Sequence, residues 1–521
     1  MKGFLNACGK KLSIDLLDKY NDLISGEKGK EELYNKLSEN FNHYLKKRYE
    51  NPASSKELDL YAINEYLIKN IDDLIKPYYI ADGIKEKTIL RNVLLKSSYN
   101  AVKADMPAKK EGVYAYLKSF LEVYESFLIS KIKELTEQYP DMERIAFVYA
   151  LELFFLSVDQ EVNEAVETID ILKELAGLYP ENERIALEYA SGLACLSARQ
   201  ELNGATITVD KIKGLTEKYP ENKKIALEYA SGLFNLSTKQ QLYEVSDSVD
   251  KLRKLTEQYP ENADFALEYA KGLVILINHQ EENETAETVD ILKELTRRYP
   301  ESGTIAIEYA IALVNYSANQ ETNEIAEAVD KLKKLTEKYP ETERIFLSYA
   351  IGLGNLSIHQ EVNEAAETVD KLKELTERYP ENAKFATEYA RGLAILSDGQ
   401  ELIEAAETVD KIKKLTGQYS KNVKIASKYA RGLANLSYKQ ALNGLLKTVD
   451  KLKKLTEKYP GNYEIDSGYA NGLVNLSEKQ KLSDAVKTVE KIKKLVEQYP
   501  KSDKIYFSYL VGLDILSSKK K

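Results

Sequence analysis

Apolar residues along this chain fall at helical spacings, and the helical stripes themselves return every 40 residues. Within 181–220, Ile185, Ala186, Tyr189, Ala190, Leu193 and Leu196 lie on one face of a helix with about 3.6 residues per turn. Ala205, Val209, Ile212, Leu215 and Tyr219 make a second stripe with the same periodicity. The segment between them, Ala198 to Asn203, is mostly polar and holds the turn. Pro220 then stops the second helix, because proline lacks the backbone donor and clashes with the preceding turn. Each unit is therefore predicted to be two antiparallel helices of roughly four turns.

The punctuation is regular. Tyr139-Pro140 recurs as Tyr179-Pro180 and onward to Tyr499-Pro500, with Ser420 standing once in place of proline. A second tyrosine, from Tyr149 to Tyr509, keeps the same step. Nine full units span 141–500 and a half unit with a basic tail follows at 501–521. Two amphipathic helices alone cannot bury both stripes, so neighbouring units must stack to make one continuous core. Gly232, Gly272, Gly352, Gly392 and their equivalents sit inside predicted helices, where glycine costs about 1 kcal/mol relative to alanine. Their return in most units predicts a close helix approach.

On these residues the repeat resembles the tetratricopeptide family. Ala186, Tyr189, Ala190 and Leu193 match spacings of the family's first helix, and Thr208, Ile212, Leu215 and Pro220 match those of its second. The period is 40 residues here, against about 34 in that family. The extra residues lie before the second helix. The resemblance implies an all-α fold, a right-handed α-solenoid of antiparallel helix pairs, that binds a partner protein or peptide on its concave face. Ahead of the repeats, 1–110 reads as a separate all-α module punctuated by Pro52, Pro77 and Pro107, and 111–140 as a degenerate capping helix.

At 521 residues the chain exceeds a single core, since such cores stop growing near 250–300 residues. That agrees with an extended stack. The net charge of −9, with both signs interspersed, argues against nucleic acid, which calls for a dominant basic surface. Cys8 and Cys195 are too few for a disulfide framework, which favours a reducing compartment. Leu5-Asn6-Ala7-Cys8 imitates a lipoprotein cleavage site, but the apolar run before it is shorter than the ~7 residues such a signal needs. No window approaches the ~18 apolar residues of a membrane span. The expectation is a cytoplasmic protein.

Candidate chemistry is sparse. His279 and His359 share one turn position and His43 stands apart, so the histidines form no ligand cluster. Gly26 to Lys30 lacks the spacing of a phosphate loop. Acidic residues at 170, 210, 250 and each 40 thereafter read as a solvated face or as inter-repeat partners of lysine. Asn235, Asn315, Asn355, Asn435 and Asn475 match glycosylation sequons but sit inside predicted helices. Gln160 and its equivalents through Gln480 are expected to hold carbonyls at the end of the first helix. No metal, cofactor or enzymatic activity is expected.

One first-helix position changes type while its neighbours barely do, running through Leu151, Ser191, Lys271, Ile311, Arg391, Arg431 and Asn471. With Asn355, Asn435 and Asn475 one turn on, Lys271, Arg391 and Arg431 would line a polar, locally basic groove suited to an acidic or amide-rich segment. The alternatives are a sensor array controlling an effector activity in 1–110, a self-assembling structural protein, and RNA binding by helix-pair repeats, which the acidic balance opposes.

Overall fold

A computed structural model describes residues 140–318 and 320–520, together with Ile129, Ile132, Lys133, Thr136 and Glu137. The expected module 1–110 lies outside the described residues, as does nearly all of 111–140. The described chain is all-α, a succession of nineteen helices with no strand among the described residues. None of these helices is long and apolar enough to cross a membrane.

The chain divides into two compact units, one ending at Gly232 and the other beginning at Leu233. The first contains α1 (Glu143–Asp159), α2 (Val162–Leu178), α3 (Glu183–Arg199) and α4 (Leu202–Lys218), and α5 (Lys223–Ser237) runs across the division. The second unit begins its regular alternation with α6 (Leu242–Gln258), α7 (Ala263–Ile277), α8 (Glu282–Arg298) and α9 (Gly303–Ser317). Next come α10 (Thr322–Lys338), α11 (Glu343–Leu356), α12 (Val362–Arg378), α13 (Ala383–Gly399) and α14 (Leu402–Gln418). It closes with α15 (Val423–Lys439), α16 (Leu442–Lys458), α17 (Tyr463–Lys479), α18 (Leu482–Gln498) and α19 (Asp503–Lys520). Odd-numbered helices are the first of each repeat and even-numbered ones the second.

Local chemistry sets these boundaries. The Asn182 carbonyl oxygen of the side chain accepts from the backbone of Arg184 and Ile185, capping α3, and Asn222, Asn262, Asn382, Asn422 and Asn462 cap in the same way. Each second helix ends at the tyrosine of the Tyr-Pro pair. There the Tyr179 carbonyl accepts from Asn182 N at 3.0 Å, a β-turn with proline at its second position. In 459–462 the third position is Gly461 at φ +77°, the left-handed conformation that glycine adopts without strain.

Packing follows a single scheme within each unit. A first helix packs on its own second helix, that second helix packs on the next first helix, and successive first helices touch directly. No two described second helices pack closely. First helices are accordingly buried around most of their circumference: in α3, Ile185, Ala186, Tyr189, Ala190, Leu193 and Leu196 are all buried. The second helix α4 buries one stripe, Ala205, Thr208, Val209 and Ile212. The mid-helix glycines explain the close approach. A Cβ on Gly472 would lie 2.7 Å from Leu452 Cδ1, and one on Gly272 would lie 2.9 Å from Leu252 Cδ1. These are contacts with the second helix of the preceding repeat.

Hydrogen bonds join consecutive repeats. The Tyr179 hydroxyl donates to the Pro140 carbonyl at 2.8 Å, Tyr299 to Pro260 at 2.8 Å and Tyr339 to Pro300 at 2.9 Å. Tyr459 makes the same bond to Ser420 at 2.9 Å, so the acceptor is the main chain and not the proline ring. Cations after the first helix reach back to carbonyls at the end of the preceding one. Arg199 donates to Ser157 O at 2.7 Å and Gln160 O at 2.8 Å, and Lys439 donates to Asp398 O at 2.7 Å. His279 and His359, at the same position, are exposed.

The recurring glutamine does something other than hold carbonyls. Gln160 Oε1 accepts the Thr168 hydroxyl at 2.7 Å, and Gln200, Gln240, Gln280, Gln360, Gln400, Gln440 and Gln480 each accept a Thr or Ser hydroxyl eight residues on. A buried hydroxyl in the second helix needs an acceptor, and the turn glutamine supplies it. Of the two readings of the recurrent aspartates, the solvated face describes Asp330 and Asp450, which are exposed and pair within their own helix, with Lys334 and Lys454 at 2.7 Å each.

Candidate partner-binding face

Side chains on the outward side of the first helices decide what this face offers a ligand. Helical geometry places residues three, four and seven apart on one stripe. In α13 that stripe carries Lys384, Thr387, Glu388, Arg391 and Ile395, and in α15 it carries Lys424, Lys428, Arg431 and Asn435, with Ser427 buried beside them. The opposite side of each helix is fixed in the core by tyrosine, alanine, glycine and leucine.

The structure brings two of the expected residues together. Arg391 Nη2 donates to Asn355 Oδ1 at 3.0 Å across neighbouring first helices, and Arg391 Nη1 lies 3.2 Å from Glu388 Oε2. Gly354 makes room for this group, since a Cβ there would sit 2.7 Å from Glu388 Oε2 and 3.3 Å from Arg391 Nη1. Lys271 pairs with Glu268 Oε1 at 2.8 Å and lies 5.3 Å from the Phe234 ring centroid. Asn435 donates to the Ala394 carbonyl at 2.9 Å, and Asn475 donates to the Ser437 hydroxyl at 2.7 Å. These two asparagines tie their own helix to the preceding one. Arg431 is exposed and makes no ion pair among the described residues.

The face is consequently of alternating charge, not uniformly basic. Glutamates three residues before Lys271 and Arg391 neutralise them, and sequence reasoning passed over that column. Glu268 is 8% exposed, and its Oε2 has no hydrogen-bond partner among the described residues. Burial pushes the Glu308 carboxyl above the usual range, against the pull of Arg344 and Lys271. Burial likewise raises Glu388, although Arg391, Lys428 and Lys424 all lie close enough to oppose it. The Ser427 hydroxyl, with Lys428 beside it, holds Glu464 below the usual carboxylate range. In the first unit, the Ser191 hydroxyl donates to Glu228 at 2.8 Å.

The other candidates resolve simply. Cys195 is half-buried, and burial pushes its thiol above the ordinary value, which disfavours the nucleophilic thiolate. No group of three or more metal-ligating side chains occurs among the described residues. Cys8 and His43 lie outside them.

No protein-family model matches the chain, and no curated protein does. Among solved structures, it is similar to a chain from work on a phosphorylation switch that controls the interaction between cadherin and beta-catenin. That likeness has 12% identity, a TM-score of 0.37, and covers 77% of this chain and 91% of that one. It is also similar to Kap121p, at 11% identity and a TM-score of 0.28, covering 99% of this chain and 49% of that one. The karyopherin Kap121p bound to the extreme C-terminus of the protein phosphatase Cdc14p gives 11% identity and a TM-score of 0.27, covering 99% and 50%. This chain spans about half the length of the Kap121p chains it resembles.

Proposed function

We propose that this protein is an interaction scaffold. It takes up a partner protein or peptide segment on the face formed by its first helices, as a 40-residue variant of the tetratricopeptide unit, and catalyses no reaction of its own. The observation that carries this reading is the contrast between the two sides of those helices. The core side repeats almost unchanged, while the outward side runs from Lys271 through Ile311 and Ile351 to Arg391 and Arg431 within one unit. Packing places no demand for that variety, and a bound chain crossing several repeats would read it. Lys271, Asn355, Arg391, Arg431, Asn435 and Asn475 all belong to the surface so proposed. A location in the cytoplasm is part of the same reading and rests on the scarcity of cysteine.

The test is site-specific photo-crosslinking in the source cells, with the crosslinker placed at the exposed Lys424 on α15 or at Lys451 on α16. Discrete adducts from Lys424 and none from Lys451 are expected. Equal yields from both helices, or adducts from Lys451 alone, refute the proposal.

Self-assembly has one observation in its favour. In α19, Tyr506, Phe507, Leu510 and Leu513 are exposed, at positions equivalent to Ala186, Leu187, Ala190 and Leu193, three of which are fully buried. Light scattering across concentrations would show a rising mass if a second copy docks there, and a constant mass if none does.

A further inference from the structure

We infer that the partner reaches this scaffold through an acidic peptide segment, seated on the first-helix faces of α13 and α15. The inference rests on the scaffold reading above and specifies its chemistry. Along the second unit the outward charge changes sign. On α7 and α9 the carboxylates Asp264, Glu268 and Glu308 face a single cation of those helices, Lys271. On α13 and α15 the cations Lys384, Arg391, Lys424, Lys428 and Arg431 outnumber the carboxylates Glu388 and Asp398.

The cations are also grouped, not scattered. Arg391 on α13 contacts the half-buried Glu388 at 3.2 Å, and Lys424 and Lys428 on α15, which packs directly against α13, also act on that carboxylate. Arg391 is held there by Glu388 and Asn355, with Gly354 leaving the space. Lys428 is 3.6 Å from Glu464, a longer contact than the 2.7 Å pairs on the second helices. Lys424 and Arg431 make no ion pair among the described residues. Two exposed cations beside two positioned ones form a surface whose positive charge its own carboxylates do not balance. Thr387 and Ser427, where earlier repeats carry Leu187, Leu227, Leu267 and Ile307, replace an apolar row with small hydroxyl side chains that donate to their own helices, to Ala383 O at 2.8 Å and Lys424 O at 2.9 Å. Carboxylates on an extended segment would meet guanidinium and ammonium donors together, and charge-assisted bonds of that kind are directional and short.

The experiment is fluorescence anisotropy on the full chain, with a labelled glutamate–serine peptide of about ten residues and its lysine–serine counterpart, at low and at high salt. The acidic peptide should bind at low salt and weaken as salt screens the contact, while the basic one should not bind. Lys424→Glu with Arg431→Glu should weaken binding roughly tenfold or more, the effect of removing about two charge-assisted contacts. The neutral pair Lys424→Gln and Arg431→Gln should give an intermediate loss, with helicity unchanged by circular dichroism. Lys413→Glu with Lys453→Glu makes the same net charge change on the second helices and should leave the affinity nearly as it was.

Failure of the acidic peptide to bind overturns the inference, and so does an equal loss from both glutamate pairs. A single-stranded oligonucleotide of matched charge that binds more tightly than the peptide overturns it too, by assigning the face to nucleic acid. If the crosslinks at Lys424 persist while the acidic peptide fails, only this chemistry falls and the scaffold stands. Loss of both removes the scaffold reading as well.

Discussion

Gln320 is buried to 8% exposure, and its Oε1 has no hydrogen-bond partner among the described residues. The cause is one residue. Ala328 stands where eight other repeats place the Thr or Ser hydroxyl that donates to their glutamine. An unsatisfied buried acceptor costs free energy, so Ala328→Thr should stabilise the protein by about 1 kcal/mol. Thermal unfolding would register the gain as a higher Tm, and an unchanged Tm would show that the acceptor is already satisfied. Asp466 offers a second single-residue test. It occupies the position of a core alanine, and burial raises its carboxyl above the usual range while the Tyr499 hydroxyl bonds to it and pulls the other way. A raised native pKa means that the folded state holds the proton more tightly than the unfolded chain. That stabilisation is full below the ordinary aspartate value of about 4 and is lost as pH rises through the raised native value. Asp466→Asn should therefore melt with the wild type near pH 4 and above it at pH 7. A constant difference across both would contradict the assignment. The glutamine column was visible in the sequence, but its partner was not. A separation of eight residues across a turn belongs to neither the helical nor the strand period, so only the folded turn reveals it.

Helix pairs were legible because the apolar stripes and the Tyr-Pro stops recur together with one period. The glycines inside the first helices were legible for the same reason, as residues with a propensity cost and no local use. Their partner can be tested by comparing two helical glycines. A Cβ on Gly472 would meet Leu452 at 2.7 Å, whereas one on Gly214 would meet nothing within 4 Å. Gly214→Ala should stabilise by up to about 1 kcal/mol through propensity alone. Gly472→Ala should destabilise, because Leu452 has to shift in a filled core. Chemical denaturation of both variants checks this, and a shift in the same direction for both would refute the close approach. Less of the candidate face was legible. Its variable positions could be read by comparing repeats, but Glu268 and Glu388 looked like solvated helix charges. Burial is a tertiary property, and a carboxylate three residues before a lysine reads alike whether exposed or enclosed. The cations after the first helices were equally opaque, because the carbonyls that Arg199 and Lys439 reach belong to another repeat.

Within each compact unit, closely packed helices belong to the same repeat or to adjacent ones, so stability is carried by repeats and their seams. Removal of 261–300 should leave a soluble helical protein with a modestly lower Tm, since the new joint sets Pro260 where Pro300 stood. Aggregation of that deletion would contradict a modular stack. The seam itself has a further consequence. The hydroxyls of Tyr179, Tyr219, Tyr299, Tyr339, Tyr419 and Tyr459 each address a main-chain carbonyl, whether of Pro300 at 2.9 Å or of Ser420 at 2.9 Å, while Tyr499 turns to the Asp466 carboxylate. The joint is thus indifferent to the identity of the residue beneath it. A stretch of gene encoding one unit can be duplicated, lost or exchanged in frame, and both new joints close as the old ones did. Array length is then free to drift over generations at a modest cost in stability.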